Sequence, residues 1–180
     1  MKTEVMSNRR LAAYAAAGTA AAIAGAANAD FTGAYDHANW TFITGSNASI
    51  TIANATTLQI TGANGGLADL ATYSILAAAA GTVSFDWQYT SVDIGNWDYG
   101  GYFNTDGFTT LAANNSQGSG SASFNVAAGE EFGFWVFSVD GSFGPGVLTI
   151  TNFSAPIPAP ASLALLAAGA FGLVRRQRQA

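Results

Sequence analysis

The chain has 180 residues, of which 49% are hydrophobic and only 9% carry charge. All six basic residues lie near the two ends, as Lys2, Arg9, Arg10, Arg175, Arg176 and Arg178, so residues 30–155 hold ten carboxylates and no Lys or Arg. A domain with nothing to neutralise phosphates excludes nucleic acid as a partner, and the lack of any cysteine excludes disulfides, thiol catalysis and thiolate metal sites.

At the N-terminus, Lys2, Arg9 and Arg10 precede an uncharged run from Leu11 to Asn28. Ala27-Asn28-Ala29 fits the A-x-A cleavage pattern, so residues 1–29 read as a secretory signal helix cut after Ala29, with Asp30 as the new N-terminus. A bare Arg9-Arg10 pair is common in such leaders, which favours the general secretory route over the twin-arginine route.

Residues 30–155 are dominated by period two. Val83, Phe85, Trp87 and Tyr89 alternate with Ser84, Asp86, Gln88 and Thr90, and Ala122, Phe124 and Val126 alternate with Ser121, Ser123 and Asn125. Residues 49–52, 57–61 and 147–153 are further β-branched runs. Residues 131–139 are apolar on both faces, the pattern of a central strand buried on two sides. Leu67 to Ala80 is Ala-rich and reads as a strand and its connection rather than a helix. Gly and Asn punctuate at short intervals, so about ten short strands predict an all-β fold, a single antiparallel β-sandwich or jelly roll. Its length suits one core.

The chemistry legible in this stretch is sparse. His37 is the only imidazole, and no Gly-x-Ser-x-Gly elbow accompanies it or its neighbour Asp36. Glu130-Glu131 follows Ala127-Ala128-Gly129, where a hairpin turn leaves both side chains in solvent. Thr149-Ile150-Thr151 has the spacing of a hydroxyl ladder, but Thr simply favours strands. Trp87 and Trp135 read as core, whereas Trp97, Tyr99 and Tyr102 lie in a Gly-rich region and are the aromatics open to stacking on sugar rings. Asp93, Asp98 and Asp140 all lie in Gly-rich segments beside aromatic strands. Their spacing is similar to that of the calcium-binding CUB domain, whose acids converge at one end of a jelly roll. The similarity covers only these short pieces, without that family's disulfides, and implies calcium shared by the three aspartates. The plainer reading leaves each in its own turn, where Asp is favoured.

The tail has three parts in fixed order. Pro156, Pro158 and Pro160 hold an extended spacer, residues 161–174 carry no charge, and Arg175, Arg176 and Arg178 follow. Fourteen helical residues cover roughly 21 Å, short of a ~30 Å hydrocarbon core, so the helix holds the inner membrane only transiently. Pro158-Ala159-Pro160-Ala161-Ser162-Leu163-Ala164-Leu165-Leu166, with the Gly/Ala-rich helix and Arg175-Arg176, resembles the PEP-CTERM sorting signal. Ala159 stands where that family has a central acidic residue. The resemblance implies processing by exosortase, a membrane transpeptidase, in bacteria that make exopolysaccharide. It also implies an exported protein that is tethered through residues 156–180 before release to the cell surface or extracellular matrix. The middle domain then reads as a non-enzymatic, structural or adhesive module among exopolysaccharides. The alternatives are a calcium-dependent glycan-binding module and a secreted glycan-acting enzyme.

Deleting residues 175–180 is therefore expected to misroute a protein whose domain still folds, because the stop-transfer charge is lost. Fractionation with intact-mass analysis, in hosts with and without exosortase, checks this and the start at Asp30. The same full-length membrane form ending at Ala180 in both hosts makes the tail a plain anchor.

Overall fold

Alternating apolar and polar residues dictate sheets with one wet face, and two such sheets bury their greasy faces against each other. A computed structural model describes residues 27–93, 97–113 and 117–159. Its strands are β1 (Ala27–Ala29), β2 (Thr41–Ile43), β3 (Ser49–Asn54), β4 (Thr57–Thr61), β5 (Asp69–Leu76), β6 (Gly81–Thr90), β7 (Asp98–Asn104), β8 (Gly107–Ala113), β9 (Gly118–Val126), β10 (Glu131–Ser138) and β11 (Val147–Ile157). Two short 3-10 turns, Gly33–Tyr35 and His37–Asn39, lie between β1 and β2. The Ala-rich run is β5, as its composition predicts.

Six strands form one sheet in the order β3-β4-β11-β6-β9, with β1 added to β11, and five form the other in the order β2-β5-β10-β7-β8. Every pairing is antiparallel. The fold is thus the antiparallel β-sandwich the sequence predicts. Of the helix expected over residues 1–29, residues 1–26 lie outside the described residues and Ala27–Ala29 form the strand β1 instead. The helix expected over residues 161–174 also lies outside the described residues.

The core is filled from both sheets, by Leu58, Ile60, Val83, Phe85, Leu148 and Ile150 on one side and Tyr73, Phe132, Phe134 and Val136 on the other. Phe153 of β11 sits at its aromatic centre. Its ring stacks on Phe31 with centroids 4.3 Å apart and lies within 6.2 Å of Phe134 across the sandwich. Tyr102 of β7 stacks on Phe124 of β9 at 4.8 Å, so it joins the sheets from inside rather than standing exposed. The expectation that β10 is buried on both faces holds for most of its length, since Gly133 and Trp135 on the outer face are buried as well. Phe132, Phe134 and Val136 are fully buried, while Phe137 on the outer side is half-buried, with no further layer of described residues over it.

β11 is the longest strand and ends inside the sorting segment, since Pro156 and Ile157 belong to it. The buried Tyr35 Oη donates to the Pro156 carbonyl at 2.7 Å and accepts from the Ala78 N–H at 3.0 Å. Ala27, Asn28 and Ala29 pair with Ile157, Pro156 and Ala155. A leader cut after Ala29 would take this short strand out of the sheet.

Phe153→Ala should destabilise the domain by about 3–5 kcal/mol, the usual cost of emptying a large aromatic site in a packed core. Chemical denaturation measures it. A loss under ~1 kcal/mol would mean that the sheets do not lock through this ring.

Candidate functional site

Register decides which side chains share the outer face of the five-stranded sheet. Phe137 stands between Leu70 and Tyr99, and Trp135 between Thr72 and Gly101. Leu70, Tyr99, Phe108, Thr110, Trp135, Phe137 and Val139 line an open groove of about 440 Å³ there. The Trp135 indole lies over β7, where Gly101 has no side chain. A Cβ there would come within 2.9 Å of Trp135 Nε1 and 1.9 Å of the Thr109 carbonyl. Trp135 Nε1 donates to the Tyr102 carbonyl at 3.0 Å, which fixes the ring, and Phe108 packs edge-on against it at 5.7 Å. Phe108 is itself 59% exposed, so an aromatic surface faces solvent.

The acidic residues gather at the end of this groove. Val139 donates its N–H to the Trp97 carbonyl at 2.7 Å, holding the segment before β7 beside the segment after β10. Tyr99 and Val139 line the groove, while Trp97 and Asp140 line a second pocket of about 450 Å³ with Val92, Asp93 and Phe143. Trp97 is 42% exposed at its mouth. Asp140 Oδ1 accepts from the Ser142 N–H at 3.0 Å.

Asp98 lies just behind this pocket and faces inward, opposite Ser138 on β10. It is 2% exposed, and its Oδ2 accepts from Ser91 Oγ at 2.7 Å. The same Ser91 Oγ accepts from the Asp93 N–H at 3.2 Å. Asp98 Oδ1, Asp93 Oδ2 and Tyr89 Oη are buried without a hydrogen-bond partner. Burial pushes the Asp98 carboxyl above the usual carboxylate range. Ser91 and Ser138 pull it down, and the negative charges of Asp93 and Asp140 push it further up. Burial and the Asp98 charge likewise raise the Tyr89 phenol.

The three aspartates singled out by spacing thus come to one end of the sandwich, in two different settings. Asp93 and Asp140 line the pocket, and Asp98 is tied to Ser91 behind it. Among the described residues, no group of three or more His, Asp or Glu side chains could hold a metal ion as they stand. His37 has Phe31 stacked on it at 4.5 Å, with its Nδ1 3.0 Å from Tyr73 Oη, and burial lowers its pKa. Tyrosine and not serine is its hydrogen-bonding neighbour. Glu130 is no free solvent group, because it braces a turn. Its Oε1 accepts from Thr105 Oγ1 at 2.6 Å and its Oε2 from the Ala127 N–H at 2.7 Å, and these donors hold it below the usual range.

Pro158 and Ala159 follow β11 as exposed residues, while Pro160, Arg175 and Arg176 lie outside the described residues. Among the described residues, no helix is long and apolar enough to cross a membrane. Of the aromatics expected to be open, Trp97 and Tyr99 line the two pockets and Tyr102 does not. Leu70, Phe108 and Phe137 escaped the sequence reading. Phe108 and Thr110 do alternate along β8, but their neighbours across the sheet come from register alone.

The Asp98 environment has a pH signature. A carboxyl whose pKa is raised on folding, from an ordinary 3.8, adds stability below that value and loses it as pH rises through the folded pKa. Asp98→Asn is therefore expected to unfold at a higher temperature than the wild type at pH 7 in chelator, with the gap closing toward pH 4. An equal difference at both pH values would contradict a buried, unneutralised carboxylate.

Several solved structures share the sandwich outline. A family 35 carbohydrate binding module from Clostridium thermocellum is 12% identical, with 69% of this chain and 98% of that one covered and a TM-score of 0.38. A family 29 carbohydrate binding module is 11% identical, with 69% and 87% covered and a TM-score of 0.37. The secreted serine protease VesC from Vibrio cholerae is 13% identical, with 66% of this chain and 25% of that one covered and a TM-score of 0.41. Likeness at this level concerns architecture alone and says nothing of what this chain binds. Among curated proteins no sequence matches the chain. Residues 156–179 match the family model described as the PEP-CTERM protein-sorting motif. The chain therefore carries a PEP-CTERM sorting motif and is an exported protein.

Proposed function

We propose that this exported sandwich is a non-catalytic glycan-binding module, acting as a structural or adhesive component among exopolysaccharides. The observation that carries this reading is the junction of the two pockets. An aromatic floor of Tyr99, Phe108 and Trp135 runs into a pocket where Asp93, Asp140 and the exposed Trp97 stand together. A sugar has an apolar C–H face that packs on aromatic rings and hydroxyls that donate to carboxylates, so both halves of such a surface are used. With no Lys or Arg in residues 30–155, the ligand is a neutral glycan, because an anionic one meets only like charge.

The non-catalytic reading rests on where the carboxyls lie. Glycoside hydrolysis needs a proton-bearing acid and an ionised carboxylate flanking one bond in a cleft. Here the carboxyl with the raised pKa, Asp98, faces the interior rather than the pocket. Before release, an exosortase-type transpeptidase acts on the sorting motif while residues 161–174 hold the inner membrane.

Titration with the neutral glucan cellohexaose, followed by calorimetry, tests the reading. Phe108→Ala and Trp97→Ala are each expected to weaken binding at least tenfold, about 1.4 kcal/mol. Absence of binding to any neutral oligosaccharide, or equal binding of anionic polygalacturonate, would overturn it. A calcium-assisted form of the same reading draws on the unpartnered, buried oxygens of Asp93 and Asp98 in a domain with no basic side chain to neutralise them. Calcium should then raise the melting temperature of the wild type and not of Asp93→Asn, since a ligand bound only by the folded state stabilises it. Equal melting in calcium and chelator removes calcium and leaves the sugar contacts standing.

A further inference from the structure

The outer face of the six-stranded sheet is chemically unlike its counterpart. Register sets Asp86 opposite Ser121 and Ser84 opposite Ser123 on β6 and β9, with Thr151 and Ser154 of β11 on the other side of β6. Between Thr151 and Ser154 the pairing shifts, and Asn152 takes a left-handed backbone with φ of 50°. A non-glycine residue held there inside a strand is strained, and bulges of this kind re-aim a side chain. The re-aimed group is the Asn152 amide, whose Nδ2 donates to Asp86 Oδ2 at 2.7 Å. Ser121 Oγ donates to Asp86 Oδ1. Both donors hold Asp86 below the usual carboxylate range, so the carboxylate is ionised and fixed in place.

Around it lies a groove of about 320 Å³, whose polar lining is Ser84, Asp86, Ser121, Ser123 and Asn152. Ser84 is half-buried and Ser123 exposed on this face. We infer that this groove is a second glycan subsite, taking a neutral, hydroxyl-rich sugar on the face opposite the aromatic groove. The inference rests on the reading of the protein as a glycan binder and extends it to a second surface. Ser84 and Ser123 each offer a donor and an acceptor at fixed spacing, and the free lone pairs of Asp86 accept sugar hydroxyls. The fixed negative charge, with no cation beside it, excludes an anionic ligand. Two subsites on opposite faces let one domain bridge two polysaccharide chains, the action a matrix component needs.

Amide NMR shifts of the full exported chain, titrated with cellohexaose, separate the two surfaces. Shifts are expected at Asp86, Ser121, Ser123 and Asn152 in the wild type and equally in Phe108→Ala. The double variant Ser84→Ala/Ser123→Ala, both on the outer face and checked for an unchanged melting temperature, should lose them at least tenfold in affinity while shifts at Phe108 and Tyr99 persist. The inference is overturned if the β6/β9 shifts are absent while the aromatic groove responds, if they survive the double variant, or if an oligolysine peptide produces them and cellohexaose does not. Missing shifts at Phe108 and Tyr99 would instead count against the aromatic groove alone.

Discussion

With no Lys or Arg in residues 30–155, no carboxylate of the domain can be neutralised by an arginine or lysine of the domain itself. Each must be satisfied by neutral donors, and this constraint runs through the structure. Asp69 accepts from Thr44 Oγ1 and the Gly45 N–H, Asp36 from the Ala38 N–H, Asp106 from Asn104 Nδ2, and Glu130 from Thr105 and the Ala127 N–H. Backbone N–H groups and hydroxyls to a charged acceptor make bonds of real strength, so acids serve here as loop staples. The exception is the Asp93–Asp98 end, where two nine-tenths-buried residues each keep an oxygen without a partner. Repulsion accumulates there, which is why the functional reading settles on that end.

The second organising element is β11. It is central in its sheet, supplies Leu148, Ile150 and Phe153 to the core, and runs on into the sorting motif without a break. Pro156 is tolerated in it because β1 and the Tyr35 hydroxyl meet the strand at its end, where a lost ladder bond costs least. The residues that begin the sorting segment are thereby part of the folded domain. In the uncut chain β1 runs antiparallel beside the end of β11.

The two outer faces follow from the same alternation with opposite results. On β6, β9 and β11 the outward positions are Ser, Thr, Gln, Asn and Asp, the ordinary wet side of an antiparallel sheet. On β10 the outward positions include Trp135, which is buried, and Phe137, which is half-buried. With the exposed Leu70 and Phe108 beside them, apolar surface remains uncovered where a monomer gains nothing from it. One wall of the sandwich is aromatic and the other hydroxylic.

How much of this was legible in the residues varies with range. Period two, the turn residues and the charge asymmetry are local or global properties of the chain, so they determined the all-β class and the three-part tail. They also pointed to Asp93, Asp98 and Asp140, because Asp in Gly-rich segments at strand ends is a local signal. What pairs with what was decided only by tertiary structure. The side of the sandwich on which Tyr102 falls depends on the register of β7 against β10, and a slip of one residue would exchange it with Phe103. The same register turns Asp98 inward to Ser91 while leaving Asp93 and Asp140 in the pocket. Phe108 and Trp135 become neighbours only because two strands far apart in sequence share a sheet with β7 between them. Long-range pairing is set by the packing of the whole core, and no window of the sequence contains it.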